Sequence, residues 1–406
     1  MNEPRQPLLS VEDALARVVA ELEPKSSETV SLEEGYGRVL AEGVAARMTQ
    51  PPFDASAMDG YAVRSEDISE VPCSLTIVGE VAAGHPWDGT VGPGQAVRIF
   101  TGGAVPSGAD TIVIQEDTTR DRDRVEIGQG AERGAFVRLR GFDFAEGEEL
   151  LETGRRLNAR DLTLAAAMNV TGFAVRRRPV VAVLATGDEL VMPGSDLKPG
   201  QIVSSIPYGL AELVVAAGGV PKRLGIARDT EESLAEHIAA AGHADILVTI
   251  GGASVGEHDL VQDALQKAGM SLDFWRIAMR PGKPLMFGQV GKQRVLGVPG
   301  NPVSALVCSR IFLVPMIESL LGLDRSGAAT RTAILAGALE KNGPRQHYMR
   351  ATFELASNGE TRVTPVRAQD SSLMAPLSQA DCLIVRAPGA AAASDGDPVE
   401  ILPLDF

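Results

Sequence analysis

Four groups of residues in this chain have the types and spacing to do chemistry. Asp188, Glu189, Asp229 and Asp259 are carboxylates set beside glycine turns or helix starts. Their hard oxygens suit a cation such as Mg²⁺, which also bridges to phosphates. Gly251-Gly252 and Gly256 let the backbone approach a ligand and turn N–H groups outward, as in anion-binding nests. Asn301-Pro302 stands at the Ncap and N1 positions of an apolar helix, whose free N–H groups attract phosphate or carboxylate. A helix terminus contributes only ~0.3–1 kcal/mol, so side-chain cations must help. The candidates are Arg276, Arg280 and Lys283, with Pro281 and Pro284 fixing their directions.

Each carboxylate also has a bland alternative. Asp188 or Glu189 caps the following segment, Asp229 belongs to a helix start at Thr230, and Asp259 is the first-turn acid of the next helix. His258 has no partner His at metal spacing and reads as a bystander. Convergence raises the group above its members. Thr186-Gly187-Asp188-Glu189, Gly251–Asp259 and Pro299–Ser304 each follow an apolar strand, and ligands of doubly wound sheets bind beyond the carboxyl ends of the strands. There is no GxxxxGK[ST], and no GxGxxG after the first strand, which argues against an ordinary NTPase or dehydrogenase.

A further segment, Pro52-Phe53-Asp54-Ala55-Ser56-Ala57-Met58-Asp59-Gly60-Tyr61-Ala62-Val63-Arg64, fits neither an amphipathic helix nor an alternating strand. Prolines and a glycine bracket two carboxylates, a hydroxyl and exposed-type aromatics. Its composition predicts an ordered loop presenting polar groups.

The elements that must position these residues fall into three textures. From about 25 to 178, short runs such as Leu75–Val78, Ala96–Ile99, Thr111–Ile114 and Phe136–Leu139 predict antiparallel β structure, followed by a helix near Ala159 to Met168. Arg176-Arg177-Arg178-Pro179 marks a boundary. Beyond it, strands at 180–184, 220–226, 246–250 and 294–298 alternate with helices whose apolar faces include Leu210, Leu213, Val214 and Ala217. The pattern is that of a doubly wound α/β domain closing near 322 with a long apolar helix, Val303 to Leu321. A polar stretch, Asp324 to Thr330, precedes a small β-domain with strands near 333–336, 350–354, 361–366 and 383–386.

Composition limits the rest. At 406 residues, 44% hydrophobic and 22% charged, the chain is a well-buried protein of two to four domains. A net charge of −15 argues against general affinity for nucleic acid or an anionic membrane. Cys73, Cys308 and Cys382 are widely separated, so neither zinc nor a disulfide framework is expected, and a reducing compartment fits. Ser10 reads as the N-cap of a helix carrying Val11, Leu15, Val18 and Val19, which does not resemble a signal peptide. No apolar run is expected to reach the ~20 residues that span a bilayer. A cytoplasmic protein is expected.

Across essentially its whole length the chain resembles the molybdopterin molybdenumtransferases, the MoeA/gephyrin E-domain family. The matching motifs are Pro52–Arg64, Thr101–Asp110, Thr186–Leu190, Gly251–Gly256, Pro281–Pro284 and Pro299–Ser304, in family order. The resemblance implies a discontinuous helical/β domain (1–45 and 140–178), an inserted β-rich domain (46–139), a doubly wound α/β molybdopterin-binding domain (179–325) and a C-terminal β-barrel (331–406). It implies a homodimer that inserts molybdate into adenylylated molybdopterin with Mg²⁺-dependent loss of AMP. The implied protein partners are the pterin adenylyltransferase and molybdoenzyme chaperones.

Residue by residue, the resemblance puts Asp59 and Thr101 in the cleft wall of the inserted domain. It gives Glu189, Asp229 and Asp259 to the metal and pyrophosphate, Asp259 and Lys283 sharing with Asp59 the catalytic role. Gly251, Gly252, Ser254, Arg280, Pro284, Asn301 and Ser304 bind substrate, with Arg350 and Ser371 approaching from the C-terminal domain and, since the family's cleft is built between subunits, acting across the dimer. The bland readings are an exposed strand charge for Arg350 and a turn residue for Ser371. The chain departs from the family pattern at Arg280, where Lys is common, and at Pro376 and Cys382, where small or polar residues are usual. Arg keeps the charge but grips a tetrahedral oxoanion with a planar fork.

Two other functions compete: adenylylation of the pterin itself, which the same α/β domain performs in relatives, and a non-enzymatic clustering scaffold. Release of AMP as against consumption of ATP separates the first. Binding of adenylylated pterin without molybdate-dependent turnover would mark the second.

Overall fold

The computed structural model describes residues 8–82, 84–252, 260–323, 330–357 and 359–404. The chain divides into two compact units, one of Met1–Glu28 with Val175–Phe406, the other of Thr29–Ala174.

The first unit opens with a helix, Val11–Val19, which Ser10 caps by accepting the Asp13 N–H at 3.0 Å. Its centre is a six-stranded sheet in the order Val220–Ala227, Val180–Thr186, Ile246–Ile250, Gln293–Val298, Pro284–Val290, Ser271–Arg276. The first four strands are parallel. Val180–Thr186 and Ile246–Ile250 lack polar alternation because a sheet buried on both faces has no wet side. The last two strands run antiparallel, so the doubly wound expectation holds for four strands and gives way to a hairpin edge. The hairpin joins Pro284–Val290 to Gln293–Val298 through a turn at Gly291-Lys292, with Gly291 at φ 58°, which leaves no room for a crossover helix.

Helix Ile206–Ala217 buries Leu210, Leu213, Val214 and Ala217 and stops at Gly218, in the left-handed region at φ 98°. Thr230 caps helix Glu231–Ala240 by accepting the Ser233 N–H. The long apolar helix runs Pro302–Cys308, widens into a π-helical turn at Ser309–Leu313, and continues as Val314–Leu320. Contrary to expectation, this 19-residue helix is long and apolar enough to cross a membrane, but 89% of its most apolar window is buried in the fold. It is spent on the core.

The C-terminal part of this unit is a closed five-stranded barrel. Arg331–Leu335, Gln346–Leu355, Thr361–Pro365, Cys382–Arg386 and Pro398–Pro403 join in a ring because Gln346–Leu355 pairs with strands on both sides. Leu335, Ala351, Val363, Cys382, Ile384 and Ile401 fill it. Pro398–Pro403 escaped the sequence reading because prolines at both ends demote a run from strand status. Cys382, one of the departures from the family pattern, is a fully buried wall residue.

In the second unit, a six-stranded sheet has the order Thr111–Ile114, Gly60–Val63, Gln95–Ile99, Cys73–Val81, Arg124–Ile127, Thr118–Asp121. The expectation of purely antiparallel pairing is corrected at one place: Cys73–Val81 and Gln95–Ile99 are parallel. Helix Ala159–Ala167 starts on a capping box in which Asn158 and Asp161 exchange hydrogen bonds.

Candidate active site

The three polar turns named from sequence follow three strands that are neighbours in the sheet, Val180–Thr186, Ile246–Ile250 and Gln293–Val298. They come close together. A Cβ on Gly251 would lie 2.9 Å from the Thr186 carbonyl oxygen, and one on Gly300 would lie 3.7 Å from Gly251 Cα. Gly251 and Gly252, at φ 93° and 63°, keep a backbone path that side chains disfavour. Ser254 and Asp259, with Gly256 and His258, lie outside the described residues.

Beside this edge is a cleft of about 340 Å³ lined by Arg280, Lys283, Pro284, Asn301, Ser304 and Ser371, together with Pro281, Gly282, Pro299, Arg345, Gln369 and Asp370. The first six are sequence-predicted binding residues, and they come from three separate stretches of chain. Gly282, at φ 102°, forms the floor; a Cβ there would sit 2.3 Å from the Cys308 sulfur in the helix beneath. Asn301 occupies the Ncap position, yet its side chain makes no cap. Instead its Nδ2 donates to Ser371 Oγ at 3.1 Å, and Ser371 O accepts the Val303 N–H at 3.1 Å. Pro302 has no N–H, so the helix terminus offers an anion less than its sequence promised. The side-chain cations carry more of the task. Among the described residues no carboxylate pairs with Arg280 or Lys283.

Arg276 is not one of those cations: its guanidinium stacks on Trp275, 4.8 Å from the ring centroid, on the edge strand. Arg350 is not the exposed strand charge of its bland reading either, being 1% exposed. Its Nη1 donates to Leu373 O, and its Nη2 to Ala368 O and Asp370 O, at 2.8–2.9 Å. Arg350 thus shapes the loop that carries Ser371 from below, and it is absent from the cleft lining. Gln369 completes that loop, accepting the Arg350 N–H and donating to Arg350 O and Val366 O. Asp370 also lines the cleft, its carboxyl held below the usual range by the Ser372 hydroxyl and N–H.

Arg345, Gln369 and Asp370 were missed from sequence. Polar residues in loops between short strands carry no periodicity, and only barrel closure brings them to this edge.

The metal candidates occupy the turns after the first two strands of the sheet. Asp188 is structural: its Oδ1 accepts the Asp229 N–H at 3.3 Å, and its carbonyl accepts Arg228 Nη1 at 3.0 Å. This ties the turn that carries Glu189 to the turn that carries Asp229. Glu189 folds over Gly187, where a Cβ would meet its Oε2 at 2.5 Å. Helix capping falls to Thr230, which leaves the Asp229 carboxylate exposed and without that duty. Among the described residues no group of three or more His, Cys, Asp or Glu forms a metal cage. Mg²⁺ commonly uses one or two carboxylates with water and substrate phosphates, and the exposed Glu189 and Asp229 carboxylates are donors of the kind that ion takes.

The second unit holds Asp59 and Thr101, and they meet. Thr101 donates both its N–H and its hydroxyl to Asp59 Oδ1 at 2.7 Å, the backbone donor first in holding the carboxyl below its ordinary value. The Pro52–Arg64 segment is not loop throughout. Gly60–Val63 is an interior strand with all four residues buried, and Tyr61 is covered by Arg98, 5.1 Å from the ring centroid. Burial on both faces erased the alternation that would have revealed it. Gly60 is required there, since a Cβ would lie 1.9 Å from the Val113 carbonyl oxygen. The strand thereby fixes Asp59 at its mouth.

Fold and cleft together define a class of α/β protein with a cation-lined cleft beside the strand ends of a largely parallel sheet and a small β-barrel. Comparison with known proteins narrows this. The chain matches the MoeA N-terminal region (domain I and II) over residues 9–169, the probable molybdopterin binding domain over 182–319, and the MoeA C-terminal region (domain IV) over 332–404. A molybdopterin molybdenumtransferase of Nostoc is 38% identical over 99% of this chain and 95% of the relative. One of Haemophilus influenzae is 33% identical over 98% and 99%. The crystal structure of a molybdopterin biosynthesis moeA protein from Pyrococcus horikosii is similar with a TM-score of 0.83 and 30% identity, over 98% of this chain and all of that one. The chain belongs to the molybdopterin molybdenumtransferase family, transferases of molybdenum cofactor biosynthesis.

Proposed function

We propose that this protein inserts molybdate into adenylylated molybdopterin with Mg²⁺-dependent release of AMP. The observation that carries the reading is the cleft in which Arg280, Lys283, Pro284, Asn301, Ser304 and Ser371 meet. Arg280 and Lys283, which no carboxylate among the described residues pairs, offer positive charge to a tetrahedral oxoanion, and the Ser304 and Ser371 hydroxyls give it directional hydrogen bonds. Catalysis is chiefly positional: these groups hold the oxoanion while Gly251 and Gly252 let the pterin phosphate approach the backbone. Glu189 and Asp229, with Asp259, would hold Mg²⁺, whose charge when bound offsets that of the phosphoanhydride.

No protein nucleophile is needed. Burial pushes the Cys308 thiol up to about 12, and burial, then the Asp381 charge, does the same for Cys382. A thiol at that value is not a thiolate at neutral pH. Asp59, whose carboxyl the Thr101 N–H and hydroxyl hold below its ordinary value, is assigned a catalytic role in a homodimer. The three free cysteines agree with a cytoplasmic setting.

The test is AMP release from adenylylated molybdopterin with and without Mg²⁺ and molybdate. Release that needs both, and that falls ~100-fold in Lys283→Ala, is expected for loss of a preorganised charge. Asp259→Ala should likewise lose turnover with its fold intact, whereas Cys308→Ser should keep it. Oxoanion-independent release, or consumption of ATP, would replace this reading with adenylylation of the pterin.

A further inference from the structure

A second cavity, of about 580 Å³, opens at the end of the barrel, and it shares Arg280 and Gln369 with the cleft. One wall is set by strand register. His347 in Gln346–Leu355 is partnered by Arg280 in the short strand Met279–Arg280 on one side and by Arg386 in Cys382–Arg386 on the other. Arg280, His347 and Arg386 therefore form one cross-strand row, and all three line the cavity. Lys341 and Arg367, both exposed, add two more cations from loops, against a single carboxylate, Glu340, among the lining residues.

Like charges directly opposite on a sheet face are destabilising. His347 relieves part of that by staying neutral: burial first, then Arg280, Arg345 and Arg386, push its imidazole down to about 4. Arg386 is 8% exposed and relieves another part by donating from Nη2 to the carbonyls of Glu340 and Ala391. Among the described residues no carboxylate pairs with Arg280, Lys341 or Arg367. Packing of the barrel core, which consists of other residues, does not require this row.

We propose that the barrel-end cavity is a second anion site, which takes a tetrahedral dianion, either a free oxoanion or the phosphate of a monoester. Cations reach the space from two strands and two loops. They surround a volume, which suits oxygens pointing in four directions better than the two coplanar oxygens of a carboxylate. Arg280 lies on both cavities, so its fork serves either anion, and occupancy of one site is felt at the other. The inference needs only the charge geometry of this cavity and stands apart from the reaction proposed above.

The test follows the His347 ring in the intact protein by nitrogen-detected NMR at neutral pH, with the signal assigned by loss in His347→Gln. Sulfate, inorganic phosphate and AMP are the probes. Sulfate and phosphate are expected to shift the His347 signal saturably, with binding weakened ~10-fold or more in Lys341→Ala/Arg367→Ala, as loss of two charge-assisted contacts implies. Tighter binding of AMP than of phosphate identifies a monoester as the natural occupant; no shift with AMP identifies free oxoanions. A His347 signal unmoved by all three probes overturns the proposal. So does an equal affinity in the double variant, whose exposed side chains can be removed without disturbing the core.

Discussion

Asn301 and Ser371 stand 70 residues apart in sequence and are joined by a 3.1 Å hydrogen bond from the Asn301 amide to the Ser371 hydroxyl. That bond fastens the head of the sheet's longest helix to a loop of the barrel, and both residues line the cleft. In Asn301→Ala the loop keeps its backbone bond to Val303 but loses this one, at a cost of ~1 kcal/mol. The expected result is a KM for molybdate raised about fivefold with kcat little changed, read from initial rates of AMP release.

Arg350 makes a different prediction. Its guanidinium serves three carbonyls of the 368–373 loop from a buried position. Lysine keeps the charge but lacks the fork, and leaves part of that carbonyl set unsatisfied. Arg350→Lys should lose ~2–4 kcal/mol of stability in chemical denaturation, as loss of a buried charged hydrogen-bond network implies. A variant as stable as the parent would mean that the loop holds itself.

Thr101 governs the ionisation of Asp59. Thr101→Val removes the hydroxyl donor and leaves the N–H, so the Asp59 pKa should rise part of the way toward its ordinary value. Thr101→Ser should leave it low. Carboxyl-carbon NMR titration measures both, and an Asp59 value equal in the two variants would show that the backbone donor alone suffices.

His347 links stability to pH. Its folded value, about 4, is depressed below the ordinary 6.5, so between these values the unfolded chain binds a proton that the native protein does not. Stability therefore rises with pH across that window, is complete above it, and is lost as pH falls toward 4. The contribution is up to ~3 kcal/mol at neutral pH relative to acid. Denaturation midpoints taken from acid to neutral pH should flatten in His347→Asn relative to the parent. Parallel curves would assign the acid sensitivity to other groups.

Local patterns of residues were enough to tell which side chains stand at the ends of which strands. Val180–Thr186 and Ile246–Ile250 are legible because a strand covered on both faces must be apolar throughout, and Gly218 and Thr230 mark helix ends through backbone rules that act locally. Asn301 and Ser304 could be named for the same reason, since their turn follows such a strand, and Lys283 as a basic side chain set between Pro281 and Pro284. Tertiary structure alone decided what those turns meet. Closure of the barrel brings Arg345, Gln369 and Asp370 to the cleft, and strand register sets Arg280, His347 and Arg386 in a row. Burial made Arg350 a support for the loop and made Gly60–Val63 an interior strand. Local sequence encodes backbone preference within a few residues. Pairing, burial and charge proximity arise between residues that only the folded chain makes neighbours.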